Sequence, residues 1–247
     1  MARIPDHGSV APGPATTYLI GIVIRFPAST LFPSPGFRPE KVQSPSCSLD
    51  SKSEWLAKLT GFWNEVKDPV SNVTLTGPFP PDCPAGTVCR QRQNLGRTRS
   101  RGLEAELHYR PTRAWDLFAS YLYNDSEVLE FPADPSLEGK RVPQVPKHTY
   151  TLGAQYLHPR LFNVALQGRF VGDQFEDDRN ANGLDSFFVV DLNLWRPVPL
   201  PYVAASEVFV AVENLFDTTY AVGKDPTTGV VSVGAPLLLH GGIRWRF

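Results

Sequence analysis

From Glu54 to Phe247 the chain follows a two-residue rhythm. Apolar and polar positions alternate through eight segments of roughly 10 to 14 residues, divided by turn-rich stretches, the signature of strands in an antiparallel sheet with one apolar face. In the last segment Leu237, Leu239, Gly241, Ile243, Trp245 and Phe247 share one face, and His240, Gly242, Arg244 and Arg246 share the other. The same split sets Phe188, Val190, Leu192 and Leu194 against Asp191 and Asn193, and Phe162, Val164, Leu166 and Phe170 against Asn163, Gln167 and Arg169. Upstream, Tyr150, Leu152, Ala154 and Tyr156 oppose Thr151 and Gln155; Leu117, Ala119, Tyr121 and Tyr123 oppose Asp116, Ser120 and Asn124; Leu103, Ala105, Leu107 and Tyr109 oppose Glu104, Glu106 and His108. Val208, Val210 and Val212 oppose Glu213 less cleanly, because Phe209 and Ala211 share the polar side.

A sandwich of two soluble sheets would alternate in the same way, so the connections and the aromatic residues decide. Counted from the C-terminus, the connections run long at 218–235, short at 197–204, intermediate at 176–185, short at 158–160, long at 128–142, short at 111–114 and long at 69–96. Short turns at one end and long loops at the other are the habit of outer-membrane barrels. The rings sort the same way. Tyr109, Trp115, Tyr156, Phe162, Trp245 and Phe247 lie beside the short turns or the terminus, and Tyr123, Tyr150, Phe170 and Phe188 lie toward the long loops, as expected of two girdles at membrane–water boundaries. The expected fold is all-β: part of an antiparallel transmembrane β-barrel, about 8–9 strands of a larger one, without a plug domain.

Residues 1–53 fit this pattern poorly. FPASTLFPSPGFRPEK is Pro-rich and VQSPSCSLDSKS does not alternate, so this segment is expected to be irregular, with one weak strand around Tyr18–Arg25. Residues 54–247 form the barrel portion. No internal repeat or second domain is evident.

Composition narrows the function classes. Twenty-four basic and 25 acidic residues give a net charge of -1, which offers no case for nucleic acid. No apolar run approaches the roughly 18 to 20 residues of a spanning helix; the best, YLIGIVIRF at 18–26, is short and carries Arg25. The N-terminal MARIPDHGSVAPG does not have the layout of a secretory signal. Three cysteines do not make a framework, but Cys83 and Cys89 flank a turn-rich loop, where either a local bridge suited to an oxidising exterior or two free thiols would fit. Asp178-Arg-Asn180-Ala-Asn182-Gly183 resembles the opening of a calcium loop, yet Val189 stands where the bidentate Glu belongs, so a polar hairpin loop is expected and no metal. No catalytic constellation or cofactor site stands out, and an enzyme is not expected.

Several segments carry a resemblance. NLGRTRSRGLEAEL at 94–107, VENLFDTTY at 212–220, Arg38-Pro39-Glu40, LTGFWNEVKDPV at 59–70 and the terminal GGIRWRF together resemble the late barrel of TonB-dependent receptors. That resemblance implies a barrel of 22 strands around an N-terminal plug, placed in the outer membrane of a Gram-negative bacterium. It implies import of an iron-siderophore chelate, cobalamin or a similar nutrient with energy from the inner-membrane TonB complex. Against the family's pattern, plug, TonB-box segment and signal peptide are missing from this sequence. A small self-contained pore or structural barrel and a nonfunctional gene remnant remain as alternative readings.

Four sets of residues carry these expectations. Leu239, Ile243, Trp245 and Phe247 are the candidate signal read by the barrel-assembly machinery, with anchoring in the girdle as the simpler role for Phe247. Glu104, Glu106, His108, Arg169, Asp191, Arg244 and Arg246 form the candidate lumen-facing polar wall, which at its simplest is a hydrated surface. Arg97, Arg99 and Arg101 share the parity of Leu103 at the long-loop end. They are candidates for lipopolysaccharide phosphates, which guanidinium groups bind bidentately; a solvated strand end, or a bulge turning them inward, is the simpler alternative. Cys83 and Cys89 are the candidate disulfide.

Overall fold

The alternation becomes a set of matched registers in the computed structural model, which describes residues 16–24 and 55–247 except 76, 78–82, 84–85, 87, 200–204, 226–227 and 247. The strands are β1 (Thr16–Ile24), β2 (Trp55–Lys67), β3 (Val70–Thr74), β4 (Arg90–Asn94), β5 (Arg97–Thr112), β6 (Trp115–Glu130), β7 (His148–Tyr156) and β8 (Asn163–Val171). They continue as β9 (Gln174–Phe175), β10 (Gly183–Leu184), β11 (Phe187–Pro197), β12 (Ala205–Glu213), β13 (Ala221–Lys224), β14 (Val231–Val233) and β15 (Leu238–Arg246). Nine of them form one antiparallel sheet in the order β1-β2-β5-β6-β7-β8-β11-β12-β15, and β3–β4, β9–β10 and β13–β14 are two-stranded ribbons within the long connections. The first strand runs from Thr16 to Ile24, where the sequence suggested Tyr18–Arg25.

Register carries each apolar set straight across the sheet. One row reads Trp55, Tyr109, Leu117, Ala154, Leu166, Leu192, Val212 and Leu239 from β2 to β15. Because strand side chains alternate sides, a single slip would exchange the faces everywhere; none occurs along this row. Most of the apolar face is bare, with Leu239 68%, Ile243 54% and Leu166 43% exposed, while Val190 is buried. No helix or second sheet of the described residues packs on it, so the face has lipid as its natural cover.

The rings pair as girdles would. Beside the short turns Trp55 stacks on Tyr109 with centroids 3.7 Å apart and Trp115 meets Tyr156 at 4.7 Å. Toward the long loops Tyr121 stacks on Tyr150 at 4.6 Å, and Tyr150 meets Phe170 at 5.6 Å. Phe247 lies outside the described residues.

The buried apolar cluster lies away from the wall, in the long-loop cap: Val73, Leu95, Val128, Phe131 and Leu137, the last two almost fully enclosed. Within the wall Val189 and Val190 on β11 and Ala211 on β12 are also buried, but a wall with lipid on one side and water on the other has little interior, whereas loops must bury apolar groups to hold a shape. Two glycines fit the wall's tight spots. A Cβ on Gly102 would lie 1.9 Å from the Tyr123 backbone oxygen, and one on Gly153 would lie 1.9 Å from the Phe118 ring that covers it.

Candidate functional site

The inner face of the sheet is the candidate wall. Glu104, Glu106 and His108 come from β5, Arg169 from β8, Asp191 from β11 and Arg244 from β15, all on the face opposite the apolar rows. Arg246 lies in register with Ala205 on β15, and its side chain lies outside the described residues. The fold brings these residues onto one surface without gathering them into a cluster, since five strands separate β5 from β15. Their partners are local. Lys58 sits 3.5 Å from Glu106, and Arg244 sits 2.5 Å from Glu207 with its guanidinium 5.1 Å from the Phe209 ring. That contact accounts for a phenylalanine on the polar side of β12. Asp191 accepts the Asn214 backbone N–H at 2.9 Å, which ties the wall to the loop that follows β12.

Asn214 is the knot of that loop. It is buried, sits at φ +51°, and its side-chain amide donates to the carbonyls of Thr218 and Ala235 at 2.9 Å while its oxygen accepts from Thr218 N–H at 2.9 Å. Asp217 at φ +50° accepts the Leu237 N–H at 2.9 Å. Asparagine and aspartate tolerate this left-handed conformation better than other side chains, which gives VENLFDTTY a structural reason.

The long loops are laced together by the residues of the calcium-like stretch and by partners the sequence did not single out, Thr74 and Arg141. Asp178 accepts both the backbone N–H and the hydroxyl of Thr74, at 2.7 and 2.6 Å. Asn180 exchanges hydrogen bonds with the Arg141 backbone, and Arg141 reaches Asp173 at 3.2 Å. Asp177 accepts the N–H groups of Ala181 and Asn182. In the segment that resembles a calcium loop, Asp178, like Asp177 just before it, is thus engaged by hydrogen-bond donors, and Asn180 serves a neighbouring loop. Asp178→Ala is expected to free the Thr74 amide. A charge-assisted hydrogen bond is worth about 1.5–3 kcal/mol, so amide exchange at Thr74 should speed up by about tenfold or more; unchanged exchange would show that the link holds nothing. At the tip of the first long loop the Cys83 and Cys89 sulfurs are joined, with Cα atoms 6.0 Å apart.

Arg97, Arg99 and Arg101 remain on the outward side with Leu103, despite a register shift between Arg97 and Thr98. Each faces a carboxylate on β6: Arg97 meets Glu130 at 2.5 Å, Arg99 meets Glu127, and Arg101 meets Asp125 at 3.0 Å. Two of the guanidinium groups lie 4.9 and 5.7 Å from the Trp63 ring. The bulge that would turn them inward does not occur on β5, whose register with β2 is unbroken from Arg97 to Tyr109, while a solvated strand end remains compatible with these ion pairs. At the far edge, Leu239, Ile243 and Trp245 are exposed on β15, which pairs only with β12 among the described residues.

The barrel family described as "TonB dependent receptor-like, beta-barrel" matches residues 7–215. The chain belongs to the TonB-dependent receptors. It is 30% identical over 141 residues to the ferrichrome outer membrane transporter/phage receptor of Escherichia coli K12, a match covering 54% of this chain and 18% of that protein. Its fold superposes on the unliganded ferric citrate transporter FecA with a TM-score of 0.56 at 25% identity, covering 75% of this chain and 28% of the other. For BauA, the ferric preacinetobactin receptor of Acinetobacter baumannii, the TM-score is 0.57 at 17% identity, covering 78% and 27%. The chain spans less than a third of the length of each of these relatives. A TonB-dependent receptor barrel lies in the outer membrane of Gram-negative bacteria, so the short turns face the periplasm and the long loops face outward. The sheet is a part of such a barrel, in a family of receptors and transporters.

Proposed function

We propose that this chain is the C-terminal barrel portion of a receptor for active uptake of an iron-siderophore chelate, cobalamin or a similar nutrient. In this reading residues 54–247 form the barrel strands and residues 1–53 an irregular lead-in with one strand. The plug and the coupling to the TonB complex belong to the whole receptor. The observation that carries the proposal is the two-faced wall under laced outer loops: lipid-facing rows on one side, and on the other Glu104, Glu106, His108, Arg169, Asp191 and Arg244. The inner ion pairs are half exposed, and such pairs hold each other weakly. They are therefore free to exchange partners with a plug surface or a passing chelate.

The relatives' names support a metal chelate as the cargo, since they refer to ferrichrome, ferric citrate and ferric preacinetobactin. The Cys83–Cys89 bridge fits a loop tip in an oxidising exterior. Leu239, Ile243 and Trp245, with Phe247, present the greasy parity of the last strand to the barrel-assembly machinery. The test is deletion of the complete gene followed by uptake of radiolabelled iron chelates and cobalamin. Loss of uptake of one of them, restored by the intact gene, is the expected result, and unchanged uptake of every candidate would end the proposal.

A further inference from the structure

Arg97, Arg99, Arg101 and Arg141 each meet an acid on a neighbouring element. Arg90 and Arg92 on β4 do not. Among the described residues no carboxylate pairs with either. Register puts both on one face of the β3–β4 ribbon, since Arg90 lies opposite Thr74 and Arg92 opposite Asn72, and directly opposed side chains of an antiparallel pair stand on the same side. That side is turned toward the loop after β8, because the Thr74 hydroxyl and backbone N–H both donate to Asp178. Arg179 follows Asp178 in the chain and stands 3.6 Å from Asp134, which belongs to the loop after β6. Three arginines from two long loops therefore meet at one joint, beside a third loop.

The joint is short of acceptors. Nε and Nη2 of Arg90 and of Arg179 are enclosed and have no hydrogen-bond partner within the protein. An enclosed donor left unpaired is costly, the more so on a charged group. The acids nearby do not make up the shortage, being held by other donors: Asp178 by Thr74, Asp177 by the N–H groups of Ala181 and Asn182, and Asp134 by Ser136. Their charges offset part of the pull on an anion. Arg92 is exposed, and so is 38% of the Arg179 side chain, which leaves an incoming group a way in from the water.

The donors decide what fits. A guanidinium presents five N–H groups in a flat fork and accepts none, and the fork matches the paired oxygens of a carboxylate or a phosphate. Water supplies lone pairs without charge; an oxyanion supplies both.

We propose that the joint between the β3–β4 ribbon and the loop after β8 is an oxyanion site, with Arg90 and Arg179 binding a carboxylate or phosphate group and Arg92 drawing it in. The bound anion bridges two loops that Thr74 and Asp178 already link, so its binding holds the loop cap together. Its source is a free anion outside the cell or the acid groups of a chelate on its way in. Only the second source rests on the import reading above, and the site stands without it.

The test follows amide exchange at Thr74 by mass spectrometry on the complete receptor in detergent, in inorganic phosphate, citrate, ferric citrate or chloride at one ionic strength. Phosphate and citrate are expected to slow that exchange saturably, about tenfold at roughly nine times Kd, against no slowing in chloride. Arg90→Gln together with Arg179→Gln should abolish the effect, and Arg110→Gln, which breaks a pair with Asp116 near the short turns, should leave it intact. Ferric citrate acting at far lower concentration than citrate supports the site with the chelate as its source; equal action supports it with free anions. Exchange no slower than in chloride, or slowing that survives the double substitution, would overturn the site. Should the double variant fail to fold, the unaltered protein decides: saturable slowing confined to the β3–β4 ribbon and the loop after β8 supports the site, and slowing spread evenly over the barrel overturns it. Failure of the uptake test leaves each of these outcomes unchanged.

Discussion

Leu166→Arg is expected to impair insertion of the folded sheet severely, whereas Gln167→Arg next to it should be tolerated. Leu166 lies near the middle of β8 on the outward row between Ala154 and Leu192. An arginine facing the bilayer midplane costs about 2–4 kcal/mol in a barrel, a large share of the stability of a domain. Gln167 faces the other way, between Gly153 and Asp191, where water solvates a new cation and a carboxylate stands nearby. The heat-modifiable gel shift of the folded barrel, with urea unfolding in lipid vesicles, measures both. If the two arginines cost the same, lipid does not cover this face.

Asn214→Leu should cost about 4 kcal/mol by the same unfolding measurement. The substitution deletes three side-chain hydrogen bonds at a buried position, leaving the Thr218 and Ala235 carbonyls and the Thr218 N–H unpaired, at about 1 kcal/mol or more each. It also forces a bulky residue to φ +51°, worth about another 1 kcal/mol. Asn214→Gly separates the two contributions, because glycine accepts the backbone angle but makes none of the side-chain bonds. Its cost should fall below that of the leucine by about the strain alone. A leucine variant as stable as the original would show that the knot is decorative.

Not all of these groups are equally legible along the chain. The parity of Leu103, Tyr150, Leu166 and Leu239 is written locally, because successive strand side chains point to opposite sides whatever the partner strand. The same rule carried Trp55, which shares the parity of Ala57 and Leu59 and completes the inner girdle against Tyr109, although its ring was not counted there. The fate of Arg97, Arg99 and Arg101 was only half written. Their side of the sheet followed from Leu103, but the carboxylates that meet them lie on β6, and which carboxylate meets which arginine depends on a register that includes a shift. Asp178 illustrates the limit, since its partner Thr74 is 104 residues away. No period in the sequence connects two loops that only the sheet between them brings together.

By itself, then, the sequence determined the two faces of the wall, the sorting of its rings, and which ends of the strands carry long loops. These follow from a two-residue period and from turn chemistry, both of which act over a few neighbouring residues. The tertiary structure alone decided which charges neutralise one another and where the loop cap buries Phe131 and Leu137. Those outcomes depend on how far each strand is offset against the next, and that offset is set by contacts between residues distant in the chain.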